Sequence, residues 1–130
     1  MTFTVFGAAA VKGSTVSFLG KYGVVTKADC KNLAAWSQAV GWAARERRIT
    51  RAPVGAGVTI GAVFQFVRPK SSPNRVAPTV KPDLDKLTRA LLDALTGVAY
   101  VDDAQVVQLE ARKAYGDDAR TTITITREGK

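Results

Sequence analysis

Apolar and polar positions change their spacing several times along this chain, and each change marks an element. Residues 2–6, TFTVF, alternate as a half-buried strand does. Ser14–Phe18 and Val24–Thr26 flank Gly20-Lys21-Tyr22-Gly23, which predicts a hairpin turned by its glycines. From Ala28 to Arg48 the period lengthens, with Leu33, Trp36, Val40 and Ala44 at helical spacing. Asp29 near its start and Arg45, Arg47 and Arg48 at its end match the helix dipole, and the Gly-rich RAPVGAG stops it. Residues 57–67, GVTIGAVFQFV, are β-branched and aromatic and predict a central strand. A second helix is predicted from Leu84 to Thr96, where Leu84, Leu87, Leu91 and Leu95 form one stripe. Asp83 would be its N-cap and Gly97 its C-terminal stop. Residues 105–114 and 120–126 then read as a second hairpin, with TITIT alternating cleanly and YGDDA as the turn. The order hairpin, helix, strand, helix, hairpin, with no internal repeat, predicts one α+β domain over residues 1–130.

Between the central strand and the second helix lies RPKSSPNRVAPTVKP, residues 68–82, with four of the five prolines. Its composition predicts a mobile, solvated loop. Its cations, Arg68, Lys70, Arg75 and Lys81, are candidates for holding phosphates, together with Lys12 and Lys86.

Composition narrows the chemistry. Histidine is absent and Cys30 is the single cysteine, which removes Ser-His-Asp and Cys-His nucleophiles, His-containing zinc sites and any intramolecular disulfide. Acid–base and metal chemistry therefore falls to Asp, Glu, Lys, Tyr and water. No secretory leader or bilayer-length apolar run is legible, so a cytoplasmic protein with no membrane partner is expected. The net charge of +8 fits a polyanionic partner without establishing one. Trp36 and Trp42 are read as helix-packing or dimer contacts, Cys30 as an inert helix residue, and Glu110 as a salt-bridge partner on a polar strand face.

Charge is distributed unevenly. From Asp83 to Val107 the chain holds five of its eight aspartates against Lys86 and Arg89, a local −3 that leaves +11 to the rest. An acidic centre in a basic surface suits a divalent ion facing a phosphate chain, the ion being Mg²⁺ or Mn²⁺ because carboxylates are hard donors. A helix climbing ~18 Å from Asp85 to Gly97, then an extended return of ~17 Å to Asp103, would bring Asp83 and Asp85 level with Asp102 and Asp103. The bland reading is that Asp-x-Asp caps a helix, Asp-Asp makes a turn, and Asp93 pairs with Arg89.

The stretch KPDLDKLTRALLDALTGVAYVDDAQVV also resembles the signature of the RusA family of Holliday-junction resolvases, in Asp83, Asp85, Leu87, Asp93-Ala94-Leu95, Gly97, Asp102-Asp103 and Gln105-Val106. Gly7 and Lys12 resemble the family's early Gly and Lys more loosely. The resemblance implies a small dimeric endonuclease, often encoded by bacteriophages or prophages. Asp83, Asp85 and Asp103 would be its catalytic metal-binding carboxylates, with Asp102 adjacent. Two positions depart from the pattern. Lys86 stands where Asn usually follows Asp-x-Asp, and Arg89 where a functional lysine is found. A guanidinium keeps the charge but cannot titrate as an acid.

The function expected is Mg²⁺-dependent cutting of branched DNA, four-way junctions above all, by paired nicks from a homodimer. Arg89 or Lys86 would neutralise the scissile phosphate. Two rivals stay open: a basic DNA-binding protein whose aspartates only cap, and a small metal-dependent nucleotide phosphohydrolase.

Overall fold

The computed structural model describes residues 1–11 and 19–128, and the side chains of all of these except 19–32. Strand β1 (Thr2–Phe6) is followed by helix α1 (Leu19–Glu46), strand β2 (Val58–Val67), helix α2 (Leu84–Leu95), strand β3 (Val106–Gly116) and strand β4 (Arg120–Arg127). One mixed sheet holds all four strands in the order β1-β4-β2-β3. The mixture of two helices and a four-stranded sheet is α+β.

Strand β2 is central, as its β-branched run predicts, and Val58, Ile60, Ala62 and Phe64 alternate as buried residues along it. Those side chains face the helices. Trp36 of α1 packs against Phe64 with ring centroids 6.5 Å apart, and Val40 and Ala44 continue its stripe into the core. On α2, Leu87, Leu91 and Leu95 are fully buried, each contributing ~1.5–3 kcal/mol of apolar burial. The opposite face of the sheet carries threonines: Thr2 and Thr4 of β1 stand in register with Thr124 and Thr122 of β4.

The N-terminal hairpin does not form as predicted. Gly20–Thr26 is helical, part of an α1 that begins at Leu19, while Ser14–Phe18 lies outside the described residues. Asp29 accordingly sits well inside the helix, away from its first turn. Trp42 is exposed on α1 and lies outside the core.

The C-terminal hairpin is also corrected. Both strands exist, but β2 lies between them, parallel to β3 and antiparallel to β4. Residues 117–119 must therefore cross β2, and Gln65 shows how: it is in register with Ala114 on one side and Arg120 on the other. Its amide donates to the Asp118 carbonyl at 2.9 Å and to Asp118 Oδ1 at 3.2 Å. The Asp118 carboxylate in turn accepts from Arg120 Nε at 2.7 Å and Nη2 at 2.9 Å. That pair holds the carboxyl below its usual range and the guanidinium above its own. At Gly116 an added Cβ would run into the Gln65 amide, which would have to swing away from Asp118 to admit it.

Candidate active site

Helix α2 runs back along the sheet from the C-terminal end of β2 to the beginning of β3, which places its two termini far apart. At its start, Asp83 is the N-cap with extended backbone (φ −72°, ψ 144°), yet its side chain makes no capping bond. Asp85 follows in the first turn, and both carboxylates are exposed. Unspent carboxylates at a helix N-terminus are free to act on something else.

The segment that delivers Asp83 is held from below. Lys113, on the helix-facing side of β3, donates from Nζ to the carbonyls of Val80 at 2.8 Å and Pro82 at 2.9 Å. Residues 77–81, Asp83, Leu84 and 111–113 line one open groove, so Asp83 shares it with the cations Lys81, Arg112 and Lys113. A groove of that charge, at the positive end of a helix, suits phosphate oxygens.

The basic loop preceding it has more internal structure than its composition predicts. Arg68 donates to the Arg75 carbonyl at 2.8 Å and stacks 4.9 Å from the Tyr115 ring centroid. Arg75 reaches Ser72 Oγ at 3.1 Å and the Tyr115 hydroxyl at 3.4 Å. These two arginines therefore shape the loop, whereas Lys70 is exposed and makes no hydrogen bond or ion pair among the described residues. Lys86 and Arg89 lie on α2, half-buried and exposed respectively, and Lys12 lies outside the described residues.

The second aspartate pair is elsewhere. Beyond α2 the chain folds into a compact turn: the Gly97 N–H bonds the Tyr100 carbonyl at 2.7 Å, and Val98 and Ala99 bond back to Leu95. Gly97 has φ +84°, the left-handed geometry predicted for a helix stop. Tyr100 is buried and its hydroxyl donates to the Leu92 carbonyl at 2.7 Å, pinning this turn to the last turns of α2. The extended return expected from Val98 to Asp103 is absent, and Asp103 ends near Tyr100 at the far end of α2.

The Asp-Asp-x-Gln motif has a structural job as well. Asp102 Oδ1 accepts from the Ala104 N–H at 2.9 Å, and Gln105 Oε1 accepts from the Val101 and Asp102 N–H groups at 2.9 and 3.0 Å. The two form a capping box around a single 3₁₀ turn, Asp103–Gln105. Gln105 Nε2 also donates to the Pro53 and Ala56 carbonyls, tying the turn to the start of β2. Asp102 is thereby partly spent on the backbone. Asp103 is exposed and accepts no side-chain bond among the described residues.

Asp83 and Asp85 thus stand at one end of a 12-residue helix, ~18 Å long, and Asp102 and Asp103 at the other. Among the described residues no three His, Cys, Asp or Glu side chains lie close enough to hold a metal ion. Within this chain the two aspartate pairs are not brought together. Two expected ion pairs are also missing: among the described residues Arg120–Asp118 is the ion pair formed, so neither Asp93–Arg89 nor a Glu110 pair is made. Lys113 is the residue beside the candidate site that the sequence alone does not reveal. It sits in an alternating strand that also contains Arg112, and only strand register shows which of the two faces the helices.

No helix among the described residues is long and apolar enough to cross a membrane. Among curated proteins, the chain is 38% identical over 56 residues to the uncharacterized protein YqaN of Bacillus subtilis (strain 168), covering 43% of this chain and 39% of that one. It is 45% identical over 49 residues to the crossover junction endodeoxyribonuclease rusA of Lactococcus phage r1t, covering 37% of each. The matched stretch therefore spans less than half of either relative. A family model described as Endodeoxyribonuclease RusA matches residues 18–126, a span that takes in both aspartate pairs, α2 and the whole crossing from β3 to β4, and the chain belongs to that family.

Proposed function

We propose that this protein is a structure-selective DNA endonuclease that resolves four-way junctions by paired nicks, acting as a homodimer with Mg²⁺, or Mn²⁺ in its place. The observation that carries this reading is the family match over residues 18–126, which contains every candidate carboxylate. The phage relative is itself named as a crossover junction endodeoxyribonuclease. A DNA substrate fits the groove in which Asp83 is accompanied by Lys81, Arg112 and Lys113, and the basic balance of the chain.

In this reading Asp83, Asp85 and Asp103 are the working carboxylates. Asp102 mainly shapes the turn that presents Asp103. Hard carboxylate oxygens are the donors Mg²⁺ prefers, and a bound divalent ion supplies charge neutralisation at a phosphodiester. Lys81, Lys86, Arg89, Arg112 and Lys113 are the cations on or beside α2 that can meet the DNA backbone. Arg89 keeps a permanent positive charge, so it binds phosphate and does not deliver a proton. The products expected from the family likeness are 5′-phosphate and 3′-hydroxyl ends. The setting is the cytoplasm of a bacterium or of a phage-infected host.

A labelled four-way junction incubated with Mg²⁺ and with EDTA tests the reading. Symmetric nicks with Mg²⁺ only are expected, and linear duplex should compete poorly. Asp85→Asn and Asp103→Asn should each abolish cleavage while junction binding stays equal or tightens, because repulsion of the DNA backbone falls. Full activity in either variant would remove that carboxylate from the mechanism.

A further inference from the structure

Helix α1 ends in an arginine cluster that the candidate site does not use. Arg45, Arg47, Arg48 and Arg51 stand against Glu46 alone within seven residues, and all four arginines are exposed. Among the described residues none of them forms an ion pair, not even with Glu46. Arg45 lies back along the helix, its Nη1 3.8 Å from where a Cβ on Gly41 would stand. Trp42, one turn before Arg45, is 65% exposed.

Arg48 is held against its own backbone preference. The Ile49 N–H donates to the Ala44 carbonyl at 3.1 Å and the Arg48 N–H to the Arg45 carbonyl at 2.9 Å, the two hydrogen bonds of a Schellman stop. Arg48 takes the left-handed position of that stop, φ +57°, where the other positive-φ residues among those described are glycines. Glycine adopts this conformation without steric cost, whereas an L side chain is strained in it. The helix dipole favours a cation at Arg45, but its effect fades beyond the last turn and gives no reason for arginine over glycine at position 48. A guanidinium kept there against strain implies a ligand. The cluster also stands at the Asp103 end of the fold. The Ala52 N–H donates to the Ala99 carbonyl at 2.9 Å and Arg51 Nη1 to the Gly97 carbonyl at 3.4 Å. Those bonds join the segment after α1 to the turn that leads into Asp102 and Asp103.

We propose that this cluster, with Trp42 at its rim, grips the sugar–phosphate backbone of a duplex DNA arm leading away from the cut. Its local charge of +3 (four minus one) complements a polyanion, and guanidinium forks match phosphate oxygens. The Trp42 indole adds an apolar ring for deoxyribose and an N–H donor for phosphate. Contacts of this kind position the duplex without reading its bases. Together with the Lys81, Arg112 and Lys113 groove at the other end of α2, the cluster gives the protein two separate grips on DNA.

This inference rests on the proposed nuclease reading, and binding measurements keep their failures apart. Wild type and Arg48→Gly are titrated with a labelled four-way junction in EDTA across a salt series. Glycine relieves the left-handed strain, so the variant should keep or raise its urea midpoint while its affinity for DNA falls. The slope of log K against log salt should drop by ~0.9 for each subunit in contact, and Arg48→Lys should keep the wild-type slope. Junctions of unrelated sequence should show the same loss. An unchanged slope in Arg48→Gly overturns the grip, as does a lowered urea midpoint with unchanged affinity, which assigns Arg48 to the fold. Acrylamide quenching gives an independent readout. Bound junction should shield Trp42, with Trp42→Phe as the blank, and undiminished quenching in the complex overturns the placement of DNA here. Wild type that binds duplex as well as junctions and cuts neither with Mg²⁺ overturns instead the nuclease reading, while the grip on duplex is still decided by the slope.

Discussion

Gly116 and Gln65 meet where residues 117–119 cross β2. A methyl at position 116 would displace the Gln65 amide from Asp118, which itself anchors Arg120. Gly116→Ala should therefore cost ~1–3 kcal/mol as a packing clash, measured by urea unfolding. Gln65→Ala removes the obstacle, so the double variant should lose less than the sum of the two single ones; strict additivity would mean that the clash is not the cause. Tyr100 gives a prediction in pH. Burial, chiefly, holds its hydroxyl protonated above the ordinary 10.0, with the Asp103 and Asp93 carboxylates adding to the effect against the Thr96 bond. Because the folded value is raised, the neutral phenol's stabilisation is complete below ~10, the unfolded value, and is lost as pH climbs beyond it. Wild type should lose stability more steeply above that pH than Tyr100→Phe, while at neutral pH the variant is weaker by ~0.5–1.5 kcal/mol for the missing bond to Leu92. Parallel alkaline slopes would show that Tyr100 ionises as freely folded as unfolded.

Helix α2 and the loop before it form the element on which function turns, and Lys113 is its tether. Lys113→Met should release the Val80 and Pro82 carbonyls at a cost of ~1.5–3 kcal/mol for charged hydrogen bonds. Trypsin should then cut sooner at Lys70 and Arg75, whose following residues are Ser71 and Val76. Cutting at an unchanged rate would mean that the Arg68–Tyr115 stack alone holds the loop. At this scale the sequence was most readable where one face is apolar. The leucine stripe of α2, the alternation of β2 and the Ile123 strand all lie where their periodicity puts them. Pairing was not readable, because a short polar link with glycine before it looks alike whether it turns a hairpin or steps across a strand. Gly20 and Gly23 looked like turn residues but lie within α1. Asp83, Asp85 and Asp103, which the sequence marks as candidate metal ligands, are exposed and make no side-chain hydrogen bond among the described residues. Their meeting within one chain depended on residues 98–103 running straight, and burial of Tyr100 draws that segment into a turn instead.

For the whole molecule, the charge left outside the acidic stretch should set how DNA binding responds to salt, and the number of subunits that grip the DNA should be visible in that response. Arg68 and Arg75 are engaged within the loop, whereas Lys70 is exposed and makes no hydrogen bond or ion pair among the described residues. Removing one lysine–phosphate pairing lowers the slope of log K against log salt by ~0.9. If the protein grips a junction as a two-fold dimer, Lys70→Ala removes that pairing twice and the slope should fall by ~1.8, with folding unchanged and cleavage at saturating DNA preserved. Arg68→Ala should behave differently, loosening the loop and lowering stability as well as affinity, since its guanidinium lies over Tyr115. A fall of only ~0.9 for Lys70→Ala would mean that one subunit's loop meets DNA at a time. No change at all would assign the phosphate grip to the Lys81, Arg112 and Lys113 groove beside Asp83 and to the Arg45–Arg51 cluster at the end of α1. Equilibrium binding of one junction across a salt series, with the dimer verified by sedimentation at the same concentrations, separates these outcomes.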